Sequence, residues 1–228
     1  MIILGIDSSG RQSSVCIMRD EKPIFTCVQD TGVTHSQNLL PMVENALNIC
    51  GLKPQDISLF AVTHGPGSFT GIRISLAMVK GMATAKNTPC IGVSSLLSMA
   101  AATDLKGIVI PTFDARRNQI YACVVDEGEI ICPDFCQDVH FLEKYIQNAK
   151  KTVFFVGDGR SLCYNIYGNF EFVSKTAPDM PCVAYGACLL AAEEYAKNGV
   201  GSHFDLTPTY LRLSQAEQEL KEKTEGKK

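Results

Sequence analysis

The 228-residue chain contains no tryptophan and only four histidines, at positions 35, 64, 140 and 203. A helical metal pair needs a second histidine three or four positions on, on the same face. None of the four has one, and His35 is followed instead by Ser36, Gln37, Asn38 and Leu39. The sequence also lacks any CxxC, so the common zinc and thiol-redox spacings are missing. It lacks an excess of charge: a net −3 gives no global pull toward nucleic acid, and any RNA contact needs a local basic patch or a partner. No apolar run reaches the length of a membrane span. The opening MIILGIDSSG has no basic n-region and no cleavage site. These features predict a cytoplasmic protein. Its ten cysteines lie mostly inside apolar runs and are read as reduced, small, buried residues.

What is present is a globular pattern: 46% of residues are hydrophobic and mean hydropathy is +0.06. Strands are expected at 2–6, 13–18, 24–28, 58–63, 90–93 and 153–157. Helices are expected from about Ser36 to Cys50, Phe69 to Lys86, Ser94 onward, 138–150 and 181–198. The pattern restarts midway. Residues 2–24 and 108–130 both run as an apolar strand, an aspartate, an arginine-bearing polar turn, a strand, an acidic turn and another strand. Asp7 and Asp114 hold equivalent places. The expected architecture is therefore α/β and duplicated: one lobe over 1–104, a smaller repeat over 105–214, and a charged, flexible tail over 215–228.

Two stretches look suited to phosphate. Asp7 ends a strand beside Ser8, Ser9 and Gly10, whose amides could cradle an anion while the carboxylate holds a metal-bound water. The plainer reading is a hairpin turn that Asp7 caps. The matching turn, DARR at 114–117, has no glycine, so backbone approach to a phosphate is lost there. The loop GPGSFTG at 65–71 is not a P-loop, because Gly71 is followed by Ile72 and Arg73 rather than by lysine. Nor is it a nucleophile elbow. It reads best as a strand-to-helix connection with Ser68 or Thr70 as helix cap.

The helix it launches is apolar on two faces. Ile72, Leu76, Val79 and Ala83 can cover a sheet, while Ile74, Met78, Met82 and Ala85 gather about 140° away. In the preceding helix, Leu40, Val43, Leu47 and Cys50 can face the core, and Met42, Ala46 and Ile49 widen the apolar arc to about 180°. A sheet-packing helix needs an arc of only about 100°. The excess marks an interaction surface, assigned to Leu39, Met42, Val43, Ala46, Ile49, Ile74, Met78, Met82 and Ala85; the plainer alternative is that the second lobe covers both faces.

Four segments together carry a resemblance: HSQNLLPMVENAL (35–47), GPGSFTGIRI (65–74), DARRNQIYA (114–122) and TPTYLR (207–212). In this order they resemble the TsaB (YeaZ) family, the dimerisation subunits of the bacterial threonylcarbamoyladenosine machinery. The resemblance spans nearly the whole chain. It implies an actin-like ATPase fold, related to acetate and sugar kinases. It also implies a non-catalytic scaffold for the catalytic subunit TsaD, working with the ATPase TsaE. That complex transfers threonylcarbamoyl from its adenylate to N6 of adenosine 37 in tRNAs reading ANN codons. The resemblance further implies that the two apolar helices form a four-helix bundle with TsaD, or with a second copy of this chain when TsaD is absent, and that tRNA is met only through the complex. No cofactor is required. A vestigial nucleotide cleft at Asp7, Ser8, Ser9, Gly10 and Asp114 would bind ATP or ADP weakly. The catalytic paralogue carries an HxxxH metal pair; here that spacing reads His35 to Leu39, so neither a catalytic residue nor a metal ligand is expected. The alternatives are a free-standing sugar or acid kinase of the same fold and a metalloprotease-like protein. The first is disfavoured by the glycine-free second turn, the second by the missing ligand pair.

Overall fold

The computed structural model describes residues 1–177, 180–199, 201–202 and 204–212. The tail from 215 and His203 lie outside the described residues. The chain runs β1 (Ile2–Asp7), β2 (Ser13–Arg19), β3 (Lys22–Gln29), α1 (His35–Ile49), β4 (Leu59–Thr63), α2 (Phe69–Thr84), β5 (Cys90–Val93) and α3 (Ser95–Ala101). It then repeats the strand pattern as β6 (Ile108–Arg116), β7 (Gln119–Asp126) and β8 (Glu129–Asp138). There follow α4 (Glu143–Ile146), β9 (Val153–Val156), α5 (Arg160–Tyr167), β10 (Val173–Ser174) and α6 (Val183–Asn198).

The two sheets have matching topology, β3-β2-β1-β4-β5 and β8-β7-β6-β9-β10. In each, the first strand of the repeat pairs antiparallel with the second and parallel with the fourth. The hairpins match in detail. Asp20 and Glu21 turn the first with φ of 47° and 67°, and Glu127 and Gly128 turn the second with φ of 49° and 92°. Positive φ at both central residues gives the turn whose twist suits a two-residue hairpin. Asp7 ends β1 and Asp114 stands at the register shift two residues before the end of β6, so the two hold corresponding places in a duplicated two-lobe α/β fold, as the internal repeat predicts.

The first sheet is covered on one face by α1 and α2. Ile72, Leu76, Val79 and Ala83 pack there with Leu4, Ile6, Val15 and Phe60, as the helix wheel predicts. Each such aliphatic side chain contributes roughly 1.5–3 kcal/mol on burial. The opposite face is covered by α6, whose Ala184, Ala187, Cys188 and Ala191 meet Ile3, Cys16, Leu59 and Ile91. Small residues let α6 lie close: a methyl on Gly5 would overlap the Ala184 carbonyl, and one on Gly186 the Ser98 carbonyl of α3. Meanwhile α3 crosses to the second sheet, where Leu96 and Met99 pack with Val109, Phe113, Cys123 and Val156. The expected cut at 104/105 falls between α3 and β6. The helix at the end of each half covers the other half's sheet, so α6 belongs structurally with residues of the first lobe.

Boundaries shift in two other places. The helix expected over 138–150 is a 3-10 turn, Val139–Leu142, running into the single turn of α4. The short α5 and β10 were not anticipated. All ten cysteines are free, and five of them are fully buried. Burial pushes the thiols of Cys90, Cys163 and Cys182 up to about 12, so they are protonated at neutral pH. No helix among the described residues is long and apolar enough to cross a membrane.

Candidate functional site

The turn after β1 is built inward. Asp7, Ser8, Ser9 and Gly10 are all buried. One oxygen of Asp7, Oδ1, accepts from the Ser9 amide at 3.0 Å, the Ser9 hydroxyl at 2.5 Å and the Thr63 hydroxyl at 2.6 Å. Burial raises the Asp7 pKa above its ordinary value, against these three hydrogen bonds and the nearby His35, which pull it down. The Ser8 hydroxyl donates to the Gly71 carbonyl at 2.8 Å. Gly10 lies against the ring of Phe113, where an added methyl would come within 2.7 Å.

Its counterpart differs. Asp114 is exposed, and its Oδ1 accepts from the Arg116 amide at 2.7 Å while its own amide donates to Asp158 at 2.9 Å. Arg116, Arg117 and Asn118 follow with φ of 67°, 55° and 59°. The five proposed nucleotide-cleft residues thus fall on the two equivalent turns, and Phe113 packs between those turns. Four of them, Asp7 to Gly10, are buried and bonded to the protein itself.

The GPGSFTG loop presses onto the same turn. Gly67, at φ 149°, leaves no room for a side chain beside the Ser9 carbonyl, and Gly71 leaves none beside the Ser8 carbonyl. The Ser68 amide donates to the Ser9 carbonyl at 2.6 Å, and the Ser68 hydroxyl accepts from the Gly71 amide at 3.2 Å as the cap of α2. These glycines serve close backbone packing between loop and turn. His35 is similarly engaged: Nδ1 meets the Ser13 hydroxyl at 2.7 Å and Nε2 the Gly10 carbonyl at 3.0 Å. Both ring nitrogens are taken. Among the described residues no group of three or more histidine, cysteine or acidic side chains is placed to hold a metal ion.

The assigned interaction surface divides in two. Leu39, Met42, Val43 and Ala46 are buried within the lobe's own core and cannot also be contact surface. The reason is that α1 packs on β2 and β3 and also against α2, so most of its apolar arc is covered within the lobe. Leu40, expected in the core, lies instead at the edge of that arc and is 47% exposed. Ile49 is 65% exposed. On α2, Ile74, Met78 and Met82 are half-buried at the rim of the core, and Ala85 is exposed. Exposed or half-buried apolar side chains therefore remain on both helices: Leu40 on one flank of α1, Ile49 on its opposite, β3-side flank, and Ile74, Ala77, Met78 and Met82 along α2 with Ala85 just past its end.

One cluster was missed altogether. The C-terminal strap, described at residues 201–202 and 204–212, runs from β5 to the second lobe. The Cys90 amide donates to the Gly201 carbonyl, and the Thr209 amide donates to the His64 carbonyl at 2.7 Å. The Thr209 hydroxyl meets His64 Nδ1 at 3.0 Å, and Arg212 donates to the Ala115 carbonyl. Between these anchors Tyr210 stacks on Phe69, ring centres 4.6 Å apart, and accepts a hydrogen bond from Arg73 Nε at 2.7 Å. The quoted motifs GPGSFTGIRI and TPTYLR each carry part of this cluster, but sequence spacing gives no sign that they touch.

A family model described as tRNA N6-adenosine threonylcarbamoyltransferase (TsaD) matches residues 29–219. The Bacillus subtilis tRNA threonylcarbamoyladenosine biosynthesis protein TsaB is 32% identical over 228 residues, covering 95% of this chain and 96% of that protein. The chain belongs to the TsaB (YeaZ) family. The solved structure of YeaZ from Pseudomonas aeruginosa superposes on it with a TM-score of 0.77 at 24% identity, over 92% of this chain and 99% of that one. The Acidaminococcus fermentans (R)-2-hydroxyglutaryl-CoA dehydratase component A shares the fold more distantly, with a TM-score of 0.53 at 13% identity over 86% of this chain and all of that one. This TsaB-family chain thus has the duplicated fold that its repeat and its resemblance both imply.

Proposed function

We propose that this chain acts in tRNA threonylcarbamoyladenosine formation as a non-catalytic docking subunit. It binds and supports a TsaD-like catalytic subunit, together with a TsaE-like ATPase, in the cytoplasm, and pairs with a second copy when alone. It meets tRNA through the complex. The observation that carries this reading is the set of outer apolar side chains on α1 and α2 beside a turn whose polar groups are consumed internally. Gly81 adds support. It lies in the last turn of α2 with nothing within 4 Å of where a side chain would begin. A helix glycine costs up to about 1 kcal/mol relative to alanine, and nothing among the described residues requires this one. It leaves room for close approach of a partner helix. The buried Asp7–Gly10 turn and the fully engaged His35 likewise favour a scaffold over a kinase or a metalloprotease. The cleft at Asp7–Gly10 and Asp114 binds ATP or ADP no more than weakly, and this role requires no cofactor.

The test is co-expression with the TsaD-like subunit of the same organism, followed by size-exclusion with light scattering. The parent forms a stable complex, and alone it forms a dimer. Ile74→Glu combined with Met78→Glu buries charge in the seam and abolishes both associations while the chain stays folded. If the double variant folds and associates as the parent does, the docking face lies elsewhere. Turnover of Mg-ATP by the isolated chain would favour the kinase reading.

A further inference from the structure

We infer that Arg73 is the polar anchor of the docking face and receives a carboxylate side chain from the partner subunit. This rests on the docking role proposed above and adds the chemistry of the contact. Arg73 is exposed on α2, yet it is held. Its guanidinium carbon lies 3.8 Å from the centre of the Phe69 ring and 5.6 Å from that of Tyr210, and Nε donates to the Tyr210 hydroxyl. Tyr210 is itself fixed by the two bonds that tie Thr209 to His64. Among the described residues these aromatic partners account for the contacts of Arg73, and no carboxylate is among them.

A free arginine on a surface helix samples many rotamers, and ordering it costs rotamer entropy on binding. Here that ordering is complete before any partner arrives. The Nη1 and Nη2 groups remain to donate side by side, the geometry that matches a carboxylate. Arginine beside aromatic rings, at the margin of an apolar patch, is the composition of an interface hot spot. The outer positions Ile74, Ala77, Met78, Gly81 and Ala85 carry no charge, and Lys80, two turns on, is the other cation on Arg73's side of α2. A cation ordered by two rings, with a single lysine along the same side, suits an acidic side chain of a protein. An RNA backbone needs several cations spread along its path, and the chain as a whole carries net charge −3.

The experiment is titration calorimetry of the full chain against the purified TsaD-like subunit, at low and high salt, with melting temperatures recorded for every variant. Arg73→Gln should weaken binding roughly ten- to hundredfold while lowering the melting temperature by only a few degrees, as loss of the Tyr210 hydrogen bond does. Arg73→Lys, which keeps the charge but loses the fork and the stack, should recover only a small part. Tyr210→Phe, which keeps the ring but frees the guanidinium, should cost a few-fold. Arg73→Glu should abolish binding, and one member of a panel of acidic-to-lysine substitutions on the partner should restore it. Parent binding with an Arg73→Gln affinity within twofold overturns the anchor alone. Absence of parent binding removes the docking reading and the anchor together. Unchanged subunit affinity with weakened tRNA binding by the assembled complex also overturns it, in favour of a phosphate contact.

Discussion

Arg73 and Tyr210 stand 137 positions apart in the chain and meet through a 2.7 Å hydrogen bond from Nε to the phenol oxygen. That contact closes the C-terminal strap over the start of α2, with Phe69 stacked beneath the phenol. Tyr210→Ala removes both the stack and the hydrogen bond. The ring pair contributes about 0.5–1.5 kcal/mol and the bond about 1 kcal/mol, so a loss of about 2 kcal/mol is expected in urea denaturation. Tyr210→Phe should lose about half of that. Equal stability of all three proteins would mean that the strap is held by its bonds at Gly201, Thr209 and Arg212 without help from Tyr210.

Two glycines of α2 should respond oppositely to alanine. A methyl on Gly71 would overlap the Ser8 carbonyl, which is backbone and cannot turn aside, so Gly71→Ala should destabilise by about 3 kcal/mol or more. Gly81 has open space around it, and Gly81→Ala should stabilise the isolated chain by about 1 kcal/mol. Gly81→Leu should leave the isolated chain folded but weaken the partner complex, because the seam then lacks room. Thermal melts of the three variants, with calorimetry for the last, decide the matter.

The duplication was legible because each half repeats hairpin alternation around an aspartate, and alternation is local. The crossing of α6 was not. Its Ala184, Ala187 and Ala191 show which stripe is apolar but not which sheet receives it. The core face of α2 was readable from 3.6-residue periodicity, since Ile72, Leu76, Val79 and Ala83 share one narrow arc. On α1 the same reasoning misplaced Leu40, which sits at the margin of its arc, where a small rotation of the helix decides exposure. Asp7 could be named from sequence. Its burial could not, because that depends on Phe113 and on the Gly67–Gly71 loop arriving from elsewhere in the chain.

Asp7 should give the protein a distinct pH dependence. Its folded-state pKa is raised, mainly by burial, so the folded chain holds this proton more tightly than the unfolded chain does. Stability therefore falls as pH rises from the ordinary carboxylate value of 3.8 through the raised one, and this cost stays in full above it. Asp7→Asn keeps an oxygen that can accept from Ser9 and Thr63 while removing the buried charge. Urea denaturation of both proteins from pH 4 to 8 should show the asparagine variant gaining relative stability as pH rises. A constant difference across that range would show that Asp7 does not titrate within it.

The division of α1 into buried and outer residues makes the last prediction. Met42 is 3% exposed among Leu39, Val43 and Ala46, and Met42→Glu places a carboxylate in the core without a partner. Several kcal/mol should be lost, enough to unfold much of the protein. Ile49 lies on the same helix at 65% exposure, so Ile49→Glu should change stability by no more than about 0.5 kcal/mol. Within a docked seam, however, the same glutamate is desolvated, and affinity for the TsaD-like subunit should fall at least about tenfold. The contrast separates folding from docking on a single helix. Circular dichroism should report loss of structure for Met42→Glu only, and calorimetry loss of binding for Ile49→Glu. If Ile49→Glu binds as tightly as the parent, the β3-side flank of α1 lies outside the seam. The docking face is then confined to Leu40, α2 and the strap that Tyr210 pins to it.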